Sequence, residues 1–327
     1  MVGGKEFPCH YSANVTFPAT SMSSLQHTIL TVALLVALGW ALTRWSVVRP
    51  EQWNGFEHIS YQVFFPALVL NALITADLSA VPSVAFGIAT VGTVLVGAML
   101  LALLNGPIQR WTGSDGPAFT SIFQGAIRWN TFTAFALVDS LYGKRGLALI
   151  AITIALIIPI INVSSVWVLQ RFAHGSGGLS LGLLIRNPFI WSSLLGLALN
   201  LSGIELPRSV IDATGIAGKA ALAGALLLVG SGLKLGDLGR PTRALVLASG
   251  IRLLLMPLLA FALAVLIGIK GADLGVLIIC AAVPTASASY ILARQMGGDA
   301  RLMAAITTFQ TLASLLTLPL MLTLLVR

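Results

Sequence analysis

Long apolar segments separated by short polar connections run from about residue 25 to the end of the chain. Most are near 20 residues long, which is the length an α-helix needs to cross a hydrocarbon core about 30 Å thick. We expect ten spans, at about 25–43, 59–76, 81–104, 117–141, 147–169, 188–201, 211–233, 245–267, 274–295 and 302–326. The alternating ten-residue segments of a membrane β-barrel are absent from the sequence. The pattern therefore predicts an all-α integral membrane protein.

Composition supports this prediction and excludes several other classes. The chain is 57% hydrophobic and only 9% charged, whereas soluble domains carry about 25% charged residues. The net charge is +8, but the basic residues are spread over short loops, so nucleic acid is not an expected partner. The two cysteines, Cys9 and Cys280, suggest neither a disulfide framework nor a metal site. We expect no cofactor.

The fourth and ninth spans contain polar interruptions. Arg128 and Asn130 lie near the middle of the fourth span, where a charge costs about 2.5–3.5 kcal/mol on insertion scales. In the ninth span a proline removes a backbone donor and three hydroxyl residues follow it, namely Pro284, Thr285, Ser287 and Ser289. Paired interruptions of this kind point to a transporter site built from broken helices.

The two interruptions occupy corresponding positions. Asn130 lies 13 residues before Gly143, and Thr285 lies 13 residues before Gly298. With five spans in each half, the halves must point in opposite directions across the membrane. The sequence thus predicts an N-terminal tail at 1–24, a first five-helix repeat at 25–170, a connecting loop at 171–178 and an inverted second repeat at 179–327, with broken crossover helices 4 and 9.

Arg128 is the leading candidate for chemistry. A net positive, otherwise apolar cavity beside the N-terminus of a half-helix suits an anion. We expect Arg128 to supply charge and Asn130 to supply amide contacts, while the alternative is that Arg128 satisfies carbonyls exposed at the break. Arg252, early in its span, is either a further ligand or a side chain that reaches the membrane interface.

The distribution of basic residues predicts the orientation. With the N-terminus outside, ten Lys and Arg residues fall in inner loops and six in outer segments, so both termini are expected outside. Enzyme signatures such as His-Glu-x-x-His and the P-loop are missing, so an enzyme is not expected. A bacterial cytoplasmic membrane is the expected location.

The chain resembles the auxin efflux carrier family of membrane transporters, in its bacterial branch. The resemblance lies in the proline-bearing stretch 63–70, in Asn130-Thr131 followed by residues 141–143, and in 283–284 followed by 293–297. The family's Asn-Thr-Gly-x-x-Gly-x-Pro pattern is changed here, because its two glycines and its proline are replaced by Phe132, Phe135 and Leu137.

The resemblance implies a fold similar to bile-acid/sodium symporters. Spans 1, 2, 6 and 7 would form a scaffold that often dimerises, and spans 3–5 and 8–10 would form a transport domain. It also implies organic carboxylate substrates and elevator-type alternating access.

We therefore expect a secondary transporter or uniporter of a small organic carboxylate anion, working as an exporter and forming a homodimer in the lipid bilayer. The substrate-binding residues would be Arg128, Asn130, Thr131, Pro284, Thr285, Ser287, Ser289 and Arg252. The alternatives are a Na⁺- or H⁺-coupled anion symporter on the same fold and, from another class, a membrane sensor or assembly subunit that does not transport.

Overall fold

The structure is a computed structural model that describes residues 22–75, 83–173, 188–233, 236, 242–286 and 288–326. Every regular element in these ranges is helical, so the all-α prediction is confirmed for this part of the chain. The predicted tail up to residue 21, most of the predicted connecting loop 171–178, and Ser287 lie outside the described residues.

The N-terminal half contains seven helices among its described residues. They are α1 (Met22–Arg44), α2 (Pro50–Ile59), α3 (Phe65–Ile74), α4 (Ser83–Leu103), α5 (Asn105–Thr112), α6 (Gly116–Ile127) and α7 (Thr131–Phe172). The helix predicted to begin near residue 59 begins at Pro50 instead, since a proline is well tolerated in the first turn. α7 consists of two segments that meet at Gly143, whose φ of 53° suits glycine.

The C-terminal half follows a similar order of long and interrupted helices. They are α8 (Pro188–Ser202), α9 (Arg208–Ser231), α10 (Arg243–Gly250), α11 (Met256–Ile267), α12 (Gly271–Ala282), α13 (Ala288–Gln295) and α14 (Ala300–Leu325).

Two π-helical turns lie directly before prolines inside long helices. The turn Ser60–Phe64 joins α2 to α3 ahead of Pro66, and the turn Ile251–Leu255 joins α10 to α11 ahead of Pro257. A proline cannot donate to the carbonyl four residues earlier and its ring clashes with that carbonyl, so the preceding turn widens. Each pair of helices therefore continues as one rod with a local bulge. The α2 rod consists of α2, the turn Ser60–Phe64 and α3, and the α10 rod consists of α10, the turn Ile251–Leu255 and α11.

Five helical segments of the described chain are long and apolar enough to cross a membrane. They are Val84–Leu103, Gly116–Phe172, Arg208–Ser231, Arg243–Ile267 and Ala300–Leu325. Two shorter apolar helices, Ala33–Arg44 and Gly271–Ala282, accompany them. The protein is thus a helical membrane protein.

The helices pack as two groups. In the scaffold group, α1 packs against α9, and α3 packs against both α8 and α9. In the crossing group, α7 packs against α4, α6 and α12, while α11 packs against α4 and α12, and α14 packs against α12 and α13. α7 is the helix that contacts the scaffold group most widely, because it touches α1, α3, α8 and α9.

Glycines allow α1 and α9 to approach closely. A Cβ at Gly39 of α1 would overlap the carbonyl of Leu227, and a Cβ at Gly230 of α9 would overlap the carbonyl of Val36. Without a hydrophobic driving force in lipid, such close backbone contact is a main source of helix association.

Gly230→Ala should therefore destabilise the protein by about 1–3 kcal/mol through overpacking. Thermal unfolding of the detergent-purified variant measures the loss. The matched control is Gly250→Ala, where a Cβ would meet nothing within 4 Å and the change to alanine favours a helix by up to about 1 kcal/mol. Equal melting temperatures for the two variants would contradict the close crossing.

Candidate functional site

The first interruption separates α6 from α7. α6 ends at Ile127, and Arg128 turns the chain into an extended conformation with φ −71° and ψ 150°. The side-chain oxygen of Asn130 then accepts hydrogen bonds from the backbone N–H groups of Phe132 and Thr133, at 3.1 and 3.0 Å. Asn130 is thereby the N-cap of α7, which satisfies two donors that the helix start leaves unpaired.

The second interruption separates α12 from α13. The helix ends at Ala282, and Val283 is extended with φ −65° and ψ 151°. The N–H of Thr285 donates to Oε1 of Gln310 at 2.8 Å, and the Thr285 hydroxyl donates to the carbonyl of Gln124 at 3.3 Å. Neighbouring helices therefore satisfy the polar groups of this break.

The two interruptions touch each other. The N–H of Asn130 donates to the carbonyl of Pro284 at 2.7 Å. Gln310, which is fully buried, also donates from Nε2 to the carbonyl of Gly125 at 2.9 Å. Hydrogen bonds from the backbone and from the Gln310 amide thus hold the two broken helices together where they cross.

A cavity of about 430 Å³ lies beside this crossing, between the two helix groups. The first interruption and the start of α7 contribute residues 128–132, and the second interruption and the start of α13 contribute Ala286 and Ala288. One face of the α2 rod forms another part of the wall, and α7 supplies the rest. These two walls are lined by Asn54, Glu57, His58 and Tyr61 from the α2 rod and by Ile158, Ile161 and Asn162 from α7.

Arg128 is the cationic side chain of this cavity. Its Nη1 donates to Oδ1 of Asn162 at 3.0 Å and lies 3.5 Å from the Ser165 hydroxyl. Its Nε is buried without a hydrogen-bond partner, and no carboxylate of the described residues forms an ion pair with it. Its Nη2, by contrast, makes no hydrogen bond and is not buried, so this donor is free to bind a ligand. A charge left unpaired in a partly buried site is costly.

Two aromatic rings stack at the edge of the cavity, next to the start of α3. Phe65 of α3 and Phe132 of α7 have ring centroids 4.0 Å apart and planes inclined by 18°. Phe132 lines the cavity, while Phe65 is fully buried. The stack therefore joins the scaffold group to the crossing group at one end of the cavity.

Arg252 lies outside the cavity and is buried. Its Nε donates to the carbonyl of Val283 and its Nη2 donates to the carbonyl of Cys280, both at 2.7 Å. These carbonyls belong to the end of α12, where the helix leaves acceptors unpaired. Trp129 lies between Arg252 and the cavity, because it lines both the cavity and the small space beside Arg252.

The other sequence-predicted site residues divide into two sets. Arg128, Asn130 and Thr131 line the cavity together. Pro284, Thr285 and Ser289 are buried behind it, and the cavity wall nearby is formed by Ala286 and Ala288. Ser287 lies outside the described residues.

Sequence reasoning missed Asn162 of α7 and also missed four cavity residues that precede α3, namely Asn54, Glu57, His58 and Tyr61. Their spacing of three, four and seven residues from Asn54 is that of one helix face. The signal was present, but starting the second span near residue 59 left three of them in a loop. Within the described residues, no group of three or more His, Cys, Asp or Glu side chains could hold a metal ion.

Broken helices that cross inside a bundle of apolar helices, beside a polar cavity, are typical of membrane transport proteins. A family model described as "membrane transport protein" matches residues 170–322. The chain is also 28% identical over 305 residues to an uncharacterized transporter of Methanothermobacter thermautotrophicus, covering 90% of this chain and 96% of that relative. These similarities support the resemblance to the auxin efflux carrier family, and the protein is a multi-pass membrane transporter rather than an enzyme.

Arg252→Met should lower the stability of the protein rather than its ligand affinity alone. The change would leave the carbonyls of Cys280 and Val283 without their donors in a dry interior, at a cost of about 1–3 kcal/mol per group. Thermal unfolding measures the loss. The control is Arg243→Met on the same rod, because Arg243 is exposed and makes one hydrogen bond, to the carbonyl of Trp111 at 3.2 Å. Normal stability with lost ligand binding would instead identify Arg252 as a ligand.

Proposed function

We propose that the protein is a secondary transporter or uniporter of a small organic carboxylate, which binds in the cavity beside the helix crossing. The observation that carries the proposal is Arg128, whose Nη2 is accessible and makes no hydrogen bond, and which has no carboxylate paired to it among the described residues. A carboxylate would accept charge-assisted hydrogen bonds from such a guanidinium. Asn130 supports the same role, since its Nδ2 has no acceptor among the described residues and it lines the cavity.

The geometry of the two breaks supports the inverted repeats proposed for 25–170 and 179–327. α6 and α12 each contain 12 residues, and each ends in an extended residue with nearly the same φ and ψ. The first repeat would supply Arg128, Asn130 and Thr131 to the substrate. The second repeat would hold the crossing in shape through buried Pro284, Thr285 and Ser289.

An elevator-type movement is supported by the position of the cavity. It lies between the scaffold group and the crossing group, so sliding one group past the other would carry a bound carboxylate across the membrane. With both termini outside, the start of α2 lies on the inner side, and the cavity would be reached from there past Asn54. Export of an anion then needs no ion gradient, since an inside-negative potential drives it outward by about 2.3 kcal/mol per charge per 100 mV. A homodimer formed through the scaffold group completes the proposal.

Arg128→Ala should weaken carboxylate binding at least tenfold, because charge-assisted hydrogen bonds contribute about 1.5–3 kcal/mol. The carboxylate affinity of Arg128→Lys should lie between those of the wild type and Arg128→Ala, since lysine keeps the charge without the planar fork. Thermal shifts of the purified protein with mono- and dicarboxylates measure binding, and a saturating ligand at a hundredfold excess over Kd stabilises by about 2.7 kcal/mol.

The control for this experiment is Arg110→Ala, which removes an exposed arginine from α5. Unchanged carboxylate affinity in Arg128→Ala would contradict the proposed site. Binding without counterflow in liposomes would favour the sensor or assembly subunit. Flux that requires a Na⁺ or H⁺ gradient would favour the coupled symporter.

Phe132→Leu should lower the population of the described conformation relative to the conformation that opens to the other side of the membrane. The stack with Phe65 joins the two helix groups, and aromatic pairs contribute about 0.5–1.5 kcal/mol. In a Cys9→Ser background, Asn54→Cys reports cavity access through its rate of labelling by a polar thiol reagent. We expect Phe132→Leu to slow labelling severalfold, because the described state would be less populated.

The control is Phe135→Leu, which changes a fully buried ring of the same helix. If both substitutions leave the labelling rate unchanged, the stack does not stabilise this state.

A further inference from the structure

The cavity holds two opposite charges that do not pair with each other. Arg128 lies on the crossing group, Glu57 lies on the α2 rod, and both line the cavity. No ion pair joins them, and the Glu57 carboxylate accepts no hydrogen bond from the described residues. Glu57 is half-buried, so part of its hydration is lost without replacement. Such an arrangement leaves both charges available to a bound ligand.

We propose that the substrate is a monocarboxylate with a hydrogen-bond donor, preferably a cation, at its far end. The carboxylate would bind Arg128, and the distal donor would bind Glu57. This inference rests on the proposed function, since it uses the same cavity and the same carboxylate contact at Arg128. A substrate with a distal cation carries no net charge, so its concentration gradient rather than the membrane potential would drive its export.

Electrostatics separates this class from the two nearest alternatives. A dicarboxylate would bring its second carboxylate towards Glu57, and like charges in a partly desolvated cavity repel. A simple alkyl carboxylate would cover Glu57 with apolar surface and leave it unpaired, which costs free energy. A distal ammonium group replaces the lost hydration of Glu57 with a charge-assisted hydrogen bond.

Neighbouring side chains are consistent with a polar distal group. Asn54 and His58 lie on the same helix face as Glu57 and line the same cavity. Asn54 and His58 are exposed, whereas Glu57 is half-buried. The cavity is of a size that binds small molecules, at about 430 Å³ against a usual 300–1,000 Å³.

Three ligands of equal chain length test the proposal, namely pentanoate, 5-aminopentanoate and glutarate. All three have five carbons and differ only at the fifth, which is a methyl group, a methylene group that carries an ammonium group, or a second carboxylate. Thermal shifts of the detergent-purified full chain across a concentration series give the apparent Kd of each. We expect 5-aminopentanoate to bind about tenfold more tightly than pentanoate, and glutarate to bind most weakly.

Glu57→Gln should abolish this ranking, because glutamine keeps the shape and removes the charge. The advantage of 5-aminopentanoate over pentanoate should fall to about twofold or less, and glutarate should improve. The control is Glu51→Gln, the same change at an exposed residue of α2 that does not line the cavity, and it should leave the ranking intact.

The outcomes separate this inference from the function on which it rests. Pentanoate binding that depends on Arg128, with glutarate binding as well as or better than 5-aminopentanoate, would overturn the inference and keep the proposed function. An unchanged ranking in Glu57→Gln would do the same. No stabilisation by any of the three, or binding that Arg128→Ala leaves unchanged, would count against both.

Discussion

The constraint on which this structure depends is that backbone polar groups interrupted inside a membrane must be satisfied by the protein itself. Both breaks meet this constraint at one crossing. The N–H of Asn130 donates to the carbonyl of Pro284, and Gln310 serves both breaks through its two amide atoms. Arg252 satisfies the end of α12. Because each break relies on groups from the other half of the chain, neither is expected to form alone.

The crossing also explains why the cavity lies where it does. The chain leaves the helical conformation at residues 128–130, where α6 ends and α7 begins. Backbone N–H and C=O groups at these two helix ends have no partner within their own helix. On one side the helices of the crossing group cover these groups. On the other side the α2 rod lies opposite them, and the space between becomes the cavity. The site is therefore a consequence of breaking helices at the boundary between two packed groups.

The sequence was sufficient to predict the helical membrane class and the places where the helices break, because a charge or a proline within an apolar run is a strong local signal. The family resemblance is confirmed by the comparisons. The cavity wall on the α2 rod was missed, since three of its four polar residues precede the predicted span at 59–76 and were taken for a loop. Contacts between distant segments, such as Thr285 with Gln310, depend on packing that no local pattern encodes.

Arg128 and Arg252 show why a charge in an apolar segment does not by itself identify a ligand site. Both arginines lie within predicted spans, and both pay for burial. Arg252 donates to two backbone carbonyls at 2.7 Å, and the side chain of Trp129 lies between Arg252 and the cavity. Arg128 makes one close hydrogen bond to an amide and keeps a buried Nε without a partner. Counting the donors that remain unpaired, rather than the charges present, is what separates the structural arginine from the candidate for substrate binding.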